Sequence, residues 1–122
     1  MLTKFGIFTR KLRLDHAELL KDMAEKLDVS SSFLSAVENG KKKIPSQWIE
    51  KIADEYSLTK EQIRDFEFAV IETQETMDIN MENLSQEKKE LAFTFARQID
   101  NFDDETVKKI REIFNVTGGV NG

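Results

Sequence analysis

Between Ser30 and Pro45 the chain reads SSSFLSAVENGKKKIP, a run of hydroxyls, one carboxamide and three ammonium groups. Wound as a helix at about 100° per residue, it separates into two arcs. Ser31, Ser32, Ser35, Ala36 and Asn39 fall on one, and Phe33, Leu34 and Val37 on the other. The apolar arc is built for burial. The polar arc carries groups that donate or accept hydrogen bonds, and no long side chain there would hold a large, rigid body away from the backbone. Taken singly these pieces are ordinary: a serine run marks a helix cap, and Lys41, Lys42 and Lys43 read as a solvated turn.

Other chemistry is poorly supplied. His16 is the sole histidine and cysteine is absent, so neither a zinc site nor a thiolate nucleophile is expected. The acidic run Asp103, Asp104 and Glu105 reads as a helix N-terminus meeting its own dipole, not as a calcium loop or a catalytic dyad. No nucleophile and base motif and no glycine-rich phosphate loop is present. The reading is of a protein that is not an enzyme and takes no cofactor.

Apolar residues recur at intervals of three and four, and there is one proline, so the chain reads as all-α. The first helix is placed at about Lys4 to Leu14, with a stripe of Phe5, Phe8 and Leu12 that Ile7 widens. The second runs from about Leu19 to Lys26 and the third from Ser31 to Asn39. Gly40 stands where a helix end needs a left-handed residue, and Pro45 with Ser46 opens a fourth helix carrying Trp48, Ile49, Ile52, Ala53 and Tyr56. Thr59 caps a fifth through Ile63, Phe66, Ala69 and Val70. Trp48 and Tyr56 are read as packing residues, and His16 as a surface residue.

Past Gln74 the pattern changes. Met77, Ile79 and Met81 alternate with polar residues, over a run too short to fold alone. It is read as a linker, with a short strand at 76–82 that pairs only with a second copy as the alternative. Ser85 and Asp103 then cap two further helices, about Gln86 to Ile99 and Asp104 to Phe114, whose stripes cannot be fully buried in each other. Residues 117–122 read as a disordered tail.

The 122 residues carry a net charge of −5, unevenly spread. Residues 1–58 hold 10 Lys and Arg against 9 Asp and Glu, and residues 59–122 hold 8 against 14. Contact with a polyanion belongs to the first half. No run approaches a membrane span of roughly 18 apolar residues, and the opening MLTKFGIFTRKLR has no uninterrupted apolar segment of the secretory kind. A cytoplasmic location is the expectation, and the lack of cysteine suits a reducing compartment.

The segment LRLDHAELLKDMAEKLDVSSSFLSAVENGKKKIP resembles the phage-repressor or Cro-like helix-turn-helix regulators, the XRE family. The likeness rests on Leu-Ala, a hydrophobic before Val-Ser, and hydrophobic-Ser-x-hydrophobic-Glu-Asn-Gly, and it spans residues 1 to about 66. It implies a five-helix lambda-repressor-like domain at 1–74, followed by a helical dimerisation segment at 75–116. The third helix would enter the major groove, with Ser31 and Ser32 near base edges and Ser35 and Ala36 next along the face. Asn39, the Gly40 amide, Lys41, Lys42 and Lys43 would hold flanking phosphates. Arg10, Lys11 and Lys4 are further phosphate candidates on the first helix. Arg13 and Glu38 match a structural ion pair seen in many members.

The chain departs from the family pattern at four places. Leu19 and Leu20 replace the usual cap and phosphate-gripping glutamine, and Ala17 and Asp28 replace glycines, which puts the geometry of both bends in question.

The function implied is a sequence-specific DNA-binding regulator, a repressor by default, acting as a homodimer on double-stranded DNA. The alternative is an antitoxin-like or accessory protein whose acidic C-terminal half binds a protein partner while the helix-turn-helix autoregulates. A module used solely for protein interaction is the third reading.

Overall fold

The computed structural model describes residues 1–116; the expected disordered tail lies outside the described residues. The chain is all-helical, and no strand occurs among the described residues. It divides into two compact units, the first from Met1 to Met77 and the second beginning at Asp78.

The first unit holds α1 (Lys4–Asp15), α2 (Leu20–Lys26), α3 (Ser31–Glu38), α4 (Trp48–Glu55) and α5 (Lys60–Thr73). Side-chain oxygens start three of them. Thr3 accepts from the Gly6 N–H, Ser30 from the Phe33 N–H and Thr59 from the Gln62 N–H, while Gln62 returns a bond to the Thr59 N–H. α2 begins at Leu19, which offers no side-chain acceptor; Asp22 compensates by accepting from the Leu19 N–H at 2.8 Å. α4 starts two residues later than Pro45 and Ser46 suggest, after a turn over Ser46 and Gln47.

Every helix of this unit sends apolar side chains into one core. Phe5 and Leu12 come from α1, Met23 and Ala24 from α2, Leu34 and Val37 from α3, Trp48 and Ile52 from α4, and Phe66 and Val70 from α5. Leu27, Ile44 and Tyr56 add to it from the connections. Each such large side chain contributes about 1.5–3 kcal/mol on leaving water, which is what holds helices this short in shape. Aromatic contacts set the register: Phe8 stacks on Phe66 at 5.0 Å, and Phe33 meets Trp48 edge-on at 5.9 Å.

The stripe on α1 differs from the sequence reading. Ile7 is 56% exposed and does not widen it. The core-facing arc continues instead through Thr9 and Arg13, two polar residues that are buried.

The second unit holds α6 (Gln86–Gln98), a 3-10 turn at Ile99–Asn101 and α7 (Asp104–Val116). Ser85 and Asp103 cap the two helices through the Lys88 and Thr106 N–H groups. The Asp103 carboxyl lies below its usual range because Thr106 hydrogen-bonds its charged form. Residues 76–82 form no strand within the single chain. No residue of this unit is buried among those described.

Candidate functional site

The sequence run from Ser30 to Pro45 becomes α3 and the loop that follows it. Leu34 and Val37 are fully buried and Phe33 packs against the core, so the opposite arc of α3 faces outward. On that arc Ser32 is exposed, and Ser31, Ser35, Ala36 and Asn39 are half-buried. Ser30 is the cap, so its hydroxyl is engaged at 3.1 Å by the Phe33 N–H. The remaining serines give a surface of short side chains along two turns.

The end of α3 explains the Asn-Gly-Lys sequence. Gly40 adopts φ 78°, the left-handed region where a side chain strains the backbone. Its N–H donates to Val37 O at 3.0 Å and the Lys41 N–H to Ala36 O at 2.8 Å, a paired closure of the helix. The Gly40 amide is therefore engaged inside the protein, which corrects its expected role as a phosphate donor. The Asn39 side-chain nitrogen donates to Ser35 O at 2.8 Å and reaches the Ser35 hydroxyl oxygen at 3.5 Å, so its hydrogen bonds close on Ser35.

Lys41, Lys42 and Lys43 are all exposed on this loop. Ile44, buried directly after them, pins the loop to the core. Among the described residues, Lys41 and Lys42 have no carboxylate partner. The three ammonium groups thus stand next to the negative end of the α3 dipole, which favours them there.

Arg13 and Glu38 fix α3 to α1. Arg13 Nη1 donates to Glu38 Oε2 at 2.5 Å and Nη2 to Oε1 at 3.2 Å, a two-pronged pair with both residues more than nine-tenths buried. Thr9 donates its hydroxyl to Glu38 Oε2 at 2.6 Å, and the Thr3 hydroxyl and N–H both donate to the Glu38 carbonyl. Gly6 makes the close approach feasible, since a Cβ there would sit 2.3 Å from the Glu38 carbonyl oxygen. Thr3, Gly6 and Thr9 escaped the sequence reading. Gly6 and Thr9, two weak helix formers inside the first helix, were the available signals.

The two bends around α2 keep the backbone that glycine would adopt. Ala17 has φ 54° and Asp28 φ 58°, so the departures from glycine alter strain and not the path. Asp28 pairs with Lys51 at 3.1 Å, which offsets its negative charge beside α3. Leu19 points outward, and Leu20 packs against the core.

A second polar cluster ties α2 to the end of α4. Glu18 accepts from Lys26 and, at 2.6 Å, from the Tyr56 hydroxyl, while the Lys26 ammonium lies 4.5 Å from the Tyr56 ring centre. Burial works against the charged carboxylate, but the bonds from Lys26 and Tyr56 and the Lys26 charge outweigh it and hold Glu18 below its usual range. Burial, with the Glu18 bond and charge, pushes the Tyr56 hydroxyl well above its ordinary value. His16, exposed, meets Tyr56 edge-on at 5.0 Å.

No group of three or more His, Cys, Asp or Glu that could hold a metal ion occurs among the described residues, and no helix among them is long and apolar enough to cross a membrane. Comparison with protein-family models, with curated proteins and with solved structures returned no match.

Proposed function

We propose that the chain is a sequence-specific DNA-binding regulator of the helix-turn-helix kind, acting as a homodimer with α3 as the helix that enters the major groove. The observation that carries the reading is the outward arc of α3, short side chains on a helix locked from behind by a buried ion pair, with three exposed lysines at its end. A helix fits a major groove about 12 Å wide only if its leading face is slim. Ser31, Ser32, Ser35 and Ala36 provide that face, with hydroxyls for base edges and a methyl for thymine. Lys41, Lys42 and Lys43 hold the flanking phosphates, and Asn39 joins them by turning its amide away from Ser35. No arginine or glutamine stands on the arc, so discrimination rests on close fit and hydroxyl contacts more than on bidentate pairs. Two copies on a palindrome would place the two α3 helices about 34 Å apart.

The deciding experiment is selection of bound sequences from a random DNA pool, followed by gel shifts in rising salt. The expected result is a palindromic site, with log affinity falling against log salt and a slope reduced by about 1 for each lysine of Lys41 and Lys42 replaced by Ala. Recovery of no preferred sequence, with Lys41→Glu and Lys42→Glu leaving all binding unchanged, overturns the proposal. The accessory-protein reading draws on the excess of acid in residues 59–122. Co-purification of the chain with a basic protein partner would favour it.

A further inference from the structure

Helix α1 buries one side and leaves the other bare. Phe5, Thr9, Leu12 and Arg13 go inward, and the outward arc is centred on Ile7, 56% exposed, and Leu14, 73% exposed. Seven residues apart, the two fall on one line along the helix, about 10 Å from each other. Arg10 borders that line on one side and Lys4 and Lys11 on the other, all three exposed. From Lys4 to Leu14 the helix holds no carboxylate, and its one acid, Asp15, stands at the last residue. Lys4 reaches Glu72 of α5 at 3.6 Å in an exposed pair, whereas Arg10 and Lys11 have no carboxylate partner among the described residues.

Two kinds of group thus stand side by side. A phosphate backbone would meet the three cations but leave two large aliphatic side chains facing charge. A wholly apolar surface would cover Ile7 and Leu14 but leave the cations beside it without a counter-charge. A helix with an apolar stripe edged by carboxylates satisfies both. Its apolar side chains would cover Ile7 and Leu14 over two turns, while its Asp and Glu reach Arg10 on one flank and Lys4 and Lys11 on the other. The surface is also rigid before anything binds. Behind it Arg13 holds Glu38, and Gly6 lies close against the Glu38 carbonyl, so α1 cannot roll to hide the pair and little order remains to be imposed on binding.

We infer that the outward face of α1 is a docking surface for an acidic amphipathic helix of another protein. It is separate from the arc of α3, which packs against α1 on the side of Gly6, Thr9 and Arg13. The partner therefore binds whether or not α3 reads DNA. Its sign is also the reverse of the accessory-protein reading, in which the acidic half of this chain meets a basic protein.

The test titrates the isotope-labelled full chain with an acetylated peptide of about 14 residues made of Ala, Glu and Leu, its leucines three and four apart. Amide resonances of Ile7, Arg10, Lys11 and Leu14 are expected to shift. A peptide of equal charge with Ser for Leu is expected to bind at least about 10-fold more weakly. Ile7→Gln with Leu14→Gln, and separately Arg10→Glu with Lys11→Glu, should each weaken the Leu peptide about 10-fold or more. These positions are exposed, so fluorescence from Trp48, the sole tryptophan and a core residue, should stay native and exclude unfolding as the cause. In the cells that make the protein, a photo-reactive side chain in place of Leu14 is expected to join an acidic helix of a second protein, identified by sequencing the cross-linked peptide. Failure of the Leu peptide to bind at about 1 mM overturns the proposal. Equal binding of the Ser peptide overturns it too, by marking the face as a general anion site. So do cross-links from position 14 to DNA, to lipid, to a second copy, to a basic segment or to nothing.

Discussion

Removing the Glu38 carboxylate should unfold the first unit far more readily than removing any surface charge. In Glu38→Ala the Arg13 guanidinium, over nine-tenths buried, loses both of its carboxylate bonds and keeps only the Met23 sulfur at 3.3 Å, while the Thr9 hydroxyl loses its shortest acceptor and falls back on the Phe5 and Gly6 carbonyls. An uncompensated buried charge costs about 3–5 kcal/mol. A unit the size of Met1–Met77 has about 4–12 kcal/mol of total stability, so the variant should lie near its threshold. Arg13→Met should cost a similar amount, by leaving Glu38 stranded. The double variant Arg13→Met with Glu38→Leu should recover to within about 2 kcal/mol of the parent, because an apolar pair of similar volume has no desolvation penalty to offset. Urea unfolding followed by Trp48 fluorescence reads this unit alone. With a slope of about 1 kcal/mol per molar urea, each single change should move the midpoint by roughly 3 M. If each costs under about 1 kcal/mol, the range of exposed ion pairs, and the double variant is simply additive, then the pair does not anchor α3 and the reasoning fails.

Three further outcomes follow from the same geometry. Ala17→Gly should raise stability by about 0.5–1 kcal/mol, because φ 54° strains any side chain; a lower urea midpoint would show that the strain is absorbed elsewhere. Gly6→Ala should lower it by about 1–3 kcal/mol, since the new methyl collides with the Glu38 carbonyl, and an unchanged melting temperature would mean that α1 and α3 can separate freely. Glu18 is held below its usual range, so the unfolded chain binds the proton first. Its contribution is present above the ordinary glutamate value and is lost as pH falls through the folded one. Glu18→Gln should therefore flatten the acid side of a stability profile, and an identical slope in parent and variant would count against the Lys26 and Tyr56 contacts.

Much of the helical layout was legible because it depends on local chemistry. The caps Thr59, Ser85 and Asp103, the left-handed Gly40 and the spacing of Leu34 and Val37 act within a few residues, so the elements could be placed from one chain. The outward arc of α3 follows from the same periodicity. What could not be read were contacts made across the fold. Whether Ile7 or Thr9 faces the core depends on where α3 lies, and it is Glu38, 29 residues away, that draws the Thr9 hydroxyl inward. The Glu18 and Tyr56 bond is likewise settled by a neighbour distant in sequence, whereas the Gly40 amide and the left-handed Ala17 and Asp28 close helix ends with partners three to five residues away. The order of residues determined which segments coil and which arcs are apolar, because those are short-range preferences. Tertiary structure decided which further polar groups join the expected Arg13–Glu38 pair in the interior, Thr9 above all, because a buried polar group is tolerable only where a specific partner is already held in place.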